Sequence, residues 1–213
     1  MKTAIKNCGF KESATLATAI ATGANFIGLV HAQSSPRHLS IEEGSALRSH
    51  IPSSVKAVAV LVSPDDSLLE TITSSWRPDI IQLHGVHDIA RLKAIKSLCN
   101  LPLIVAVSVA TMSDIADAAR YNDIASYILF DTKSDHLDGG TGKPFDWRLL
   151  HHVRLDIPWF LAGGLTPSNV AHAIAISGAR YIDVSSGIES ARGQKSKELI
   201  AAFNHAVLHG VHV

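Results

Sequence analysis

The sequence is poor in everything that would tie it to a charged surface, a membrane or an oxidising compartment. Its 213 residues carry 19 basic and 19 acidic side chains, so the formal net charge is zero. That balance argues against general nucleic-acid binding and against a polybasic membrane patch, and leaves any anion site to be built locally. No apolar run approaches the roughly 20 residues that a membrane span requires. The opening stretch from Met1 to Asn7 lacks the apolar core of a signal peptide. Two cysteines, Cys8 and Cys99, argue against a disulfide framework. Low-complexity segments and domain-separating linkers are also missing. These absences predict a cytoplasmic, soluble chain with no nucleic-acid or membrane partner, folded as one domain over residues 1–213.

What is present is a recurring unit. Hydrophobic residues make up 46% of the chain and charged residues 18%, the balance of a globular protein. Short β-branched runs alternate with amphipathic helical runs. Strands are expected near 3–8, 26–30, 55–62, 79–83, 103–107, 126–131, 157–162 and 180–184. Helices are expected near 12–22, 40–50, 66–76, 88–98, 113–120, 145–152, 167–177 and 196–208. Start signals support the helices: Ser40 with Glu43, Ser113-Asp114, and proline at the first helical position in Thr166-Pro167. Gly23 and Gly178 follow helical runs as C-terminal caps do. Such βα alternation implies a parallel sheet with helices outside. Eight evenly spaced units fit a (β/α)8 TIM barrel better than an open doubly wound sheet. The lack of Gly-x-Gly-x-x-Gly after the first strand weighs against dinucleotide binding.

In such a barrel, chemistry sits where strands end at the C-terminal face. Cys8 closes the first strand. A lone cysteine is usually a small buried hydrophobe, but at a strand end it is also a candidate base or nucleophile. Gln82 and His84 close the fourth strand and share a face by alternation. Asp131 ends the sixth after an apolar run, a setting that raises a carboxyl pKa and suits a general acid. A glycine-rich loop follows, including Gly140 and Gly142, whose amides could cradle an anion. Gly163-Gly164 ends the seventh strand and Asp183-Val184-Ser185-Ser186-Gly187 the eighth. Barrels of this kind bind phosphate at those two loops. Arg37, in the loop after strand two, could fork onto a carboxylate. The scattered histidines lack zinc-site spacing, and no nucleophile elbow is present. The residues alone describe a barrel enzyme for a small phosphorylated metabolite, with a cysteine and an aspartate as the candidate proton-transfer pair.

The pieces Lys6-Asn7-Cys8-Gly9, Ser35-Pro36-Arg37, Gln82-Leu83-His84-Gly85, Phe130-Asp131, Gly139-Gly140-Thr141-Gly142 with Phe145-Asp146-Trp147, Leu161-Ala162-Gly163-Gly164-Leu165 with Pro167 and Asn169-Val170, and Asp183-Val184-Ser185-Ser186-Gly187-Ile188-Glu189 occur in order along the chain. Each is weak alone; together, at every expected strand end, the set resembles phosphoribosylanthranilate isomerase. The resemblance implies a cofactor-free and metal-free barrel acting in tryptophan biosynthesis on a phosphoribosyl substrate, as a monomer or a homodimer. It also implies roles. Asp131 would protonate the furanose ring oxygen, Cys8 would take the proton from sugar C2, and Arg37 would hold the anthranilate carboxylate. Amides near Gly164, Ser186 and Gly187 would hold the phosphate. Two alternatives remain beside it: a related phosphosugar isomerase of histidine biosynthesis, which has an aspartate where Cys8 stands, and a non-catalytic barrel binding a phosphoribosyl ligand. Three positions depart from the family pattern: Asn7, Arg192 and Ser196. Alternation sends Asn7 toward the helices, where a buried amide needs partners.

Overall fold

The computed structural model describes residues 2–132 and 145–210. The strands are β1 (Ala4–Cys8), β2 (Phe26–His31), β3 (Lys56–Val62), β4 (Ile80–His84), β5 (Leu103–Val109), β6 (Tyr127–Thr132), β7 (Trp159–Leu161) and β8 (Tyr181–Val184). They pair in sequence order, all parallel, and β8 returns to β1 to close the barrel. Between them lie α1 (Ser13–Ala21), α2 (Ile41–Arg48), α3 (Asp66–Ser75), α4 (Ile89–Cys99), α5 (Met112–Asp117) and α6 (Val170–Ser177). A short antiparallel pair, β9 (Glu189–Ala191) with β10 (Gln194–Lys195), separates β8 from the last helix, α7 (Lys197–His209). Among the described residues, no helix is long and apolar enough to cross a membrane.

A strand covered on both faces reads as a continuous apolar run. In β3 the five residues from Ala57 to Leu61 are all buried. Their side chains alternate between two cores. Ala57, Ala59 and Leu61 join the layer under the helices, whereas Val58 and Val60 point inside the barrel. The same alternation sends Asn7 outward against α7. There Asn7 and Asn204 exchange amide hydrogen bonds of 3.1 Å, and Asn204 donates further to Thr22 Oγ1 at 2.8 Å. The departure at Asn7 is thus a fully paired buried amide.

The lower end of the barrel interior is closed by aromatic rings from the strand starts. Phe26, Tyr127, Phe160 and Tyr181 meet with centroid distances from 5.2 to 6.3 Å, edge-on or tilted. These separations suit ring quadrupoles, and Phe160 has no exposed surface.

Helix ends follow local chemistry, with three corrections to expectation. Ser40 and Glu43 form the expected capping box at α2, and Gly178 caps α6 at φ +71°. The cap of α5, however, is Thr111 rather than Ser113, because the Asp114 carboxylate accepts from the Thr111 N–H at 2.8 Å. The helix expected over 167–177 starts only at Val170. Asn169 folds back instead, accepting from the Thr166 N–H and donating to the Gly164 carbonyl. The helix expected over 145–152 is a 3-10 turn from Trp147 to His152. Ser196, another departure, caps α7 by accepting from the Leu199 N–H.

Candidate active site

The upper half of the barrel interior is polar where the lower half is aromatic. Among the described residues, six groups face it from four strands: Lys6 and Cys8 on β1, Gln82 and His84 on β4, Asp131 on β6 and Asp183 on β8. Alternation places them there, two residues above interior positions such as Ile80, Leu129 and Tyr181.

Lys6 has no exposed side-chain surface, and its ammonium lies 2.8 Å from Asp183 Oδ1. Desolvation works against that charge, but Asp183 and the nearby Cys8 sulfur outweigh it and hold the Lys6 pKa above the usual lysine value. Cys8 is buried, and desolvation pushes its thiol up; Lys6 and, more weakly, Lys195 act in the opposite sense. Asp131 sits deep in the mouth and is pushed up to about 6, first by burial and then by the charge of Asp183. Asp131 Oδ1 accepts from the Thr132 N–H at 2.8 Å. Gly163, at φ +84°, lets the seventh loop press against this carboxyl: a Cβ there would come within 2.9 Å of Asp131 Oδ1.

On β4 the nitrogens Gln82 Nε2 and His84 Nε2 lie 2.8 Å apart, so the imidazole accepts from the amide. Burial and the Lys6 charge lower His84 to about 4, which keeps it neutral in that role. Gln82 Oε1 is buried and has no hydrogen-bond partner among the described residues.

Two anchoring regions flank this centre. Arg37 crosses over Gly9 and meets Glu189 with both arms, Nε to Oε1 at 2.7 Å and Nη2 to Oε2 at 2.8 Å. The sequence expectation left the guanidinium free for a ligand carboxylate; its fork is already engaged by Glu189. Lys195, with a side chain 1% exposed, shares Glu189 Oε1 at 2.7 Å and also donates to the Ser185 carbonyl at 2.9 Å. Ser185 Oγ donates to the Cys8 carbonyl at 3.1 Å. Arg37, Lys195 and Glu189 together leave one positive charge at the rim. On the other side, Gly187 lies so close to the Leu165 carbonyl that any side chain would collide with it. The loop carrying Gly163 and Gly164 therefore packs backbone to backbone against the turn of Ser186 and Gly187.

Of the expected site residues, Cys8, Gln82, His84, Asp131 and Asp183 line one mouth. Arg37, Gly163, Gly164, Ser185, Ser186 and Gly187 stand around its rim. Gly140 and Gly142 lie outside the described residues. Sequence reasoning missed Lys6, Glu189 and Lys195. Lys6 had a usable signal, since it sits two residues before Cys8 on the same face of a buried strand. Among the described residues, no cluster of three or more histidine, cysteine, aspartate or glutamate side chains is arranged to hold a metal ion.

Comparison with known proteins gives a consistent result. Residues 5–206 match the family model described as N-(5'-phosphoribosyl)anthranilate (PRA) isomerase. The chain is 43% identical over 211 residues to the N-(5'-phosphoribosyl)anthranilate isomerase of Parvibaculum lavamentivorans, covering 97% of this chain and 98% of that protein. The crystal structure of phosphoribosyl anthranilate isomerase from Thermotoga maritima superposes with a TM-score of 0.87 at 29% identity, over 96% of this chain and 98% of that one. A phosphoribosyl anthranilate isomerase in complex with reduced 1-(o-carboxyphenylamino)-1-deoxyribulose 5-phosphate superposes with a TM-score of 0.83 at 27% identity, again over 96% and 98%.

Proposed function

The chain belongs to the N-(5'-phosphoribosyl)anthranilate isomerase family, and from that premise we propose how its mouth carries the reaction. The reaction is the Amadori rearrangement of N-(5'-phosphoribosyl)anthranilate to 1-(2-carboxyphenylamino)-1-deoxyribulose 5-phosphate in tryptophan biosynthesis. An aldose-to-ketose shift of this kind needs an acid at one oxygen and a base at the neighbouring carbon.

Asp131 is the acid. Its proton goes to the furanose ring oxygen, the bond from that oxygen to C1 breaks, and the nitrogen lone pair completes a protonated Schiff base. Cys8 is the base. Its thiolate takes the C2 proton, the C2–H electrons flow toward nitrogen, and the enolamine formed tautomerises to the ketone. The observation that carries this reading is the shared polar mouth. One carboxyl raised to about 6 and one buried thiol face the same Lys6–Asp183 pair. In the free protein at neutral pH, Asp131 is mainly carboxylate and Cys8 mainly thiol. The working state is the reverse, and a substrate with two anionic ends favours protonation of Asp131.

The rim supplies the anchors. The surplus positive charge on Arg37 and Lys195 suits the anthranilate carboxylate, and the packed loops at Gly163–Gly164 and Ser186–Gly187 suit the phosphate. The unpartnered Gln82 Oε1 is an acceptor for a sugar hydroxyl, with neutral His84 holding the amide in place. This reading carries a cytoplasmic location and a soluble phosphoribosyl metabolite as partner. The test is the fluorescence change on conversion of the substrate: Cys8→Ala and Asp131→Ala each abolish turnover while the thermal unfolding transition remains cooperative. Near-normal turnover in either variant would remove that residue from the assigned pair.

A further inference from the structure

Lys6 is a fully buried ammonium group that neither step of the reaction uses. Holding such a charge away from water is costly, and one carboxylate partner seldom offsets the cost. If Lys6 served only to neutralise Asp183, two apolar residues would serve the fold better. Its location suggests a second task. Lys6 and Cys8 are alternate residues of β1, so both point inside the barrel, and the ammonium lies on the side of the thiol. Asp183 comes from β8, the strand paired with β1, in register with Lys6 itself. The carboxylate thus draws the ammonium to one place, 2.8 Å away, within side-chain hydrogen-bonding reach of Cys8.

We propose that Lys6 is a positioning residue for the base: its ammonium, oriented by Asp183, holds the Cys8 sulfur as thiolate while the sulfur waits for the C2 proton. The proposal rests on the reading of Cys8 as the base. Among the described residues, the charged groups that act on Cys8 are Lys6 from its own strand, Asp183 from β8 and Lys195 from β10, with Asp131 across the same mouth. Lys195 is committed to Glu189 and Ser185, which leaves Lys6 as the nearer cation. The Lys6–Asp183 pair then acts as a dipole with its positive end at the sulfur, and desolvation makes that end count for more than it would in water.

The test reads the sulfur directly. The ultraviolet absorption of the thiolate is followed against pH and corrected with the Cys8→Ala protein, so that Cys99 and the tyrosines cancel. Lys6→Met alone strands a buried carboxylate and endangers folding. The informative variant is therefore Lys6→Met with Asp183→Asn, which leaves no unpaired charge. The expected result is an upward move of the Cys8 midpoint by at least about one pH unit, or at least a roughly tenfold smaller thiolate fraction at a fixed pH below it. Lys6→Arg with Asp183 intact keeps the midpoint within about half a unit of the parent. A double variant that titrates at or below the parent pH overturns the proposal. Normal turnover by Cys8→Ala would instead overturn the reading of Cys8 as base, whatever the titration shows.

Discussion

The two ends of the barrel interior are built from one set of eight strands, with β6 and β8 contributing to both, and solve opposite problems. At the lower end, four aromatic rings from strand starts fill the space and hold no buried charge. At the upper end, the same alternation delivers an ammonium, two carboxyls, a thiol, an imidazole and an amide into one desolvated volume. The lower end stabilises the fold through area and ring geometry. The upper end costs stability, because each charge there has been taken from water. The strands thus divide into a half that holds the molecule together and a half, to which we assign the chemistry, that is built at the expense of that stability.

The largest effect should appear when the upper end is made to resemble the lower. Asp131→Asn removes the proposed acid and should cut kcat roughly 10²–10⁴-fold or more. The same change should stabilise the fold. A folded pKa of about 6 against an unfolded value near 3.8 means that holding the carboxylate buried costs nothing below about pH 4. The cost grows between about pH 4 and 6 and is complete above 6, up to about 3 kcal/mol at about 1.4 kcal/mol per unit. The asparagine variant should therefore have a higher unfolding midpoint than the parent at pH 8 and almost the same one at pH 4. Equal gains at both values would break the division.

Phe160→Ala attacks the other end. Losing a fully buried ring should cost about 3–5 kcal/mol in denaturant titrations, with kcat of the folded protein nearly unchanged. A collapse of kcat without loss of stability would show that the plug also shapes the mouth. Arg37→Ala sits at the rim, between these extremes. It should lower kcat/KM roughly 10–100-fold for the carboxylated substrate, the worth of a charge-assisted hydrogen bond, and much less for a decarboxylated analogue. Equal losses on both would remove the carboxylate role from Arg37. The smallest effect is a chemical shift. The Asp131 carboxyl carbon should titrate near pH 6 in the free protein, about two units above an exposed aspartate. A midpoint near 4 would mean that the mouth is wetter than its burial implies.

Much of this division was legible in the sequence. Most strand boundaries fall within one or two residues of expectation, because a run such as Ala57–Leu61 cannot be buried on both faces in any other way. Alternation also set the faces of Gln82, His84 and Asn7 correctly. What escaped depends on contacts distant in sequence or on segments too short to have a period. Alternation puts Lys6 on the face of Cys8, but its partner Asp183 comes from the opposite end of the chain and is brought beside it only by the fold. The β9–β10 pair comprises one three-residue and one two-residue strand, too short for a period, so Glu189 stands in the last matching piece without a role and Lys195 is not announced at all. The late start of α6 follows from one asparagine folding back on Thr166 and Gly164, a choice that helix propensity does not encode.

Glu189 grips Arg37 with one carboxylate and Lys195 with the same group, and Lys195 in turn holds Ser185, which leads into the Ser186–Gly187 turn. On the proposed assignment, an aryl carboxylate arriving at Arg37 shares it with Glu189, and any slackening there passes along to the segment we assign to the sugar's far end. Affinities measured on half-substrates, one bearing only the aryl acid and one only the phosphorylated chain, would then fail to sum to that of the whole molecule.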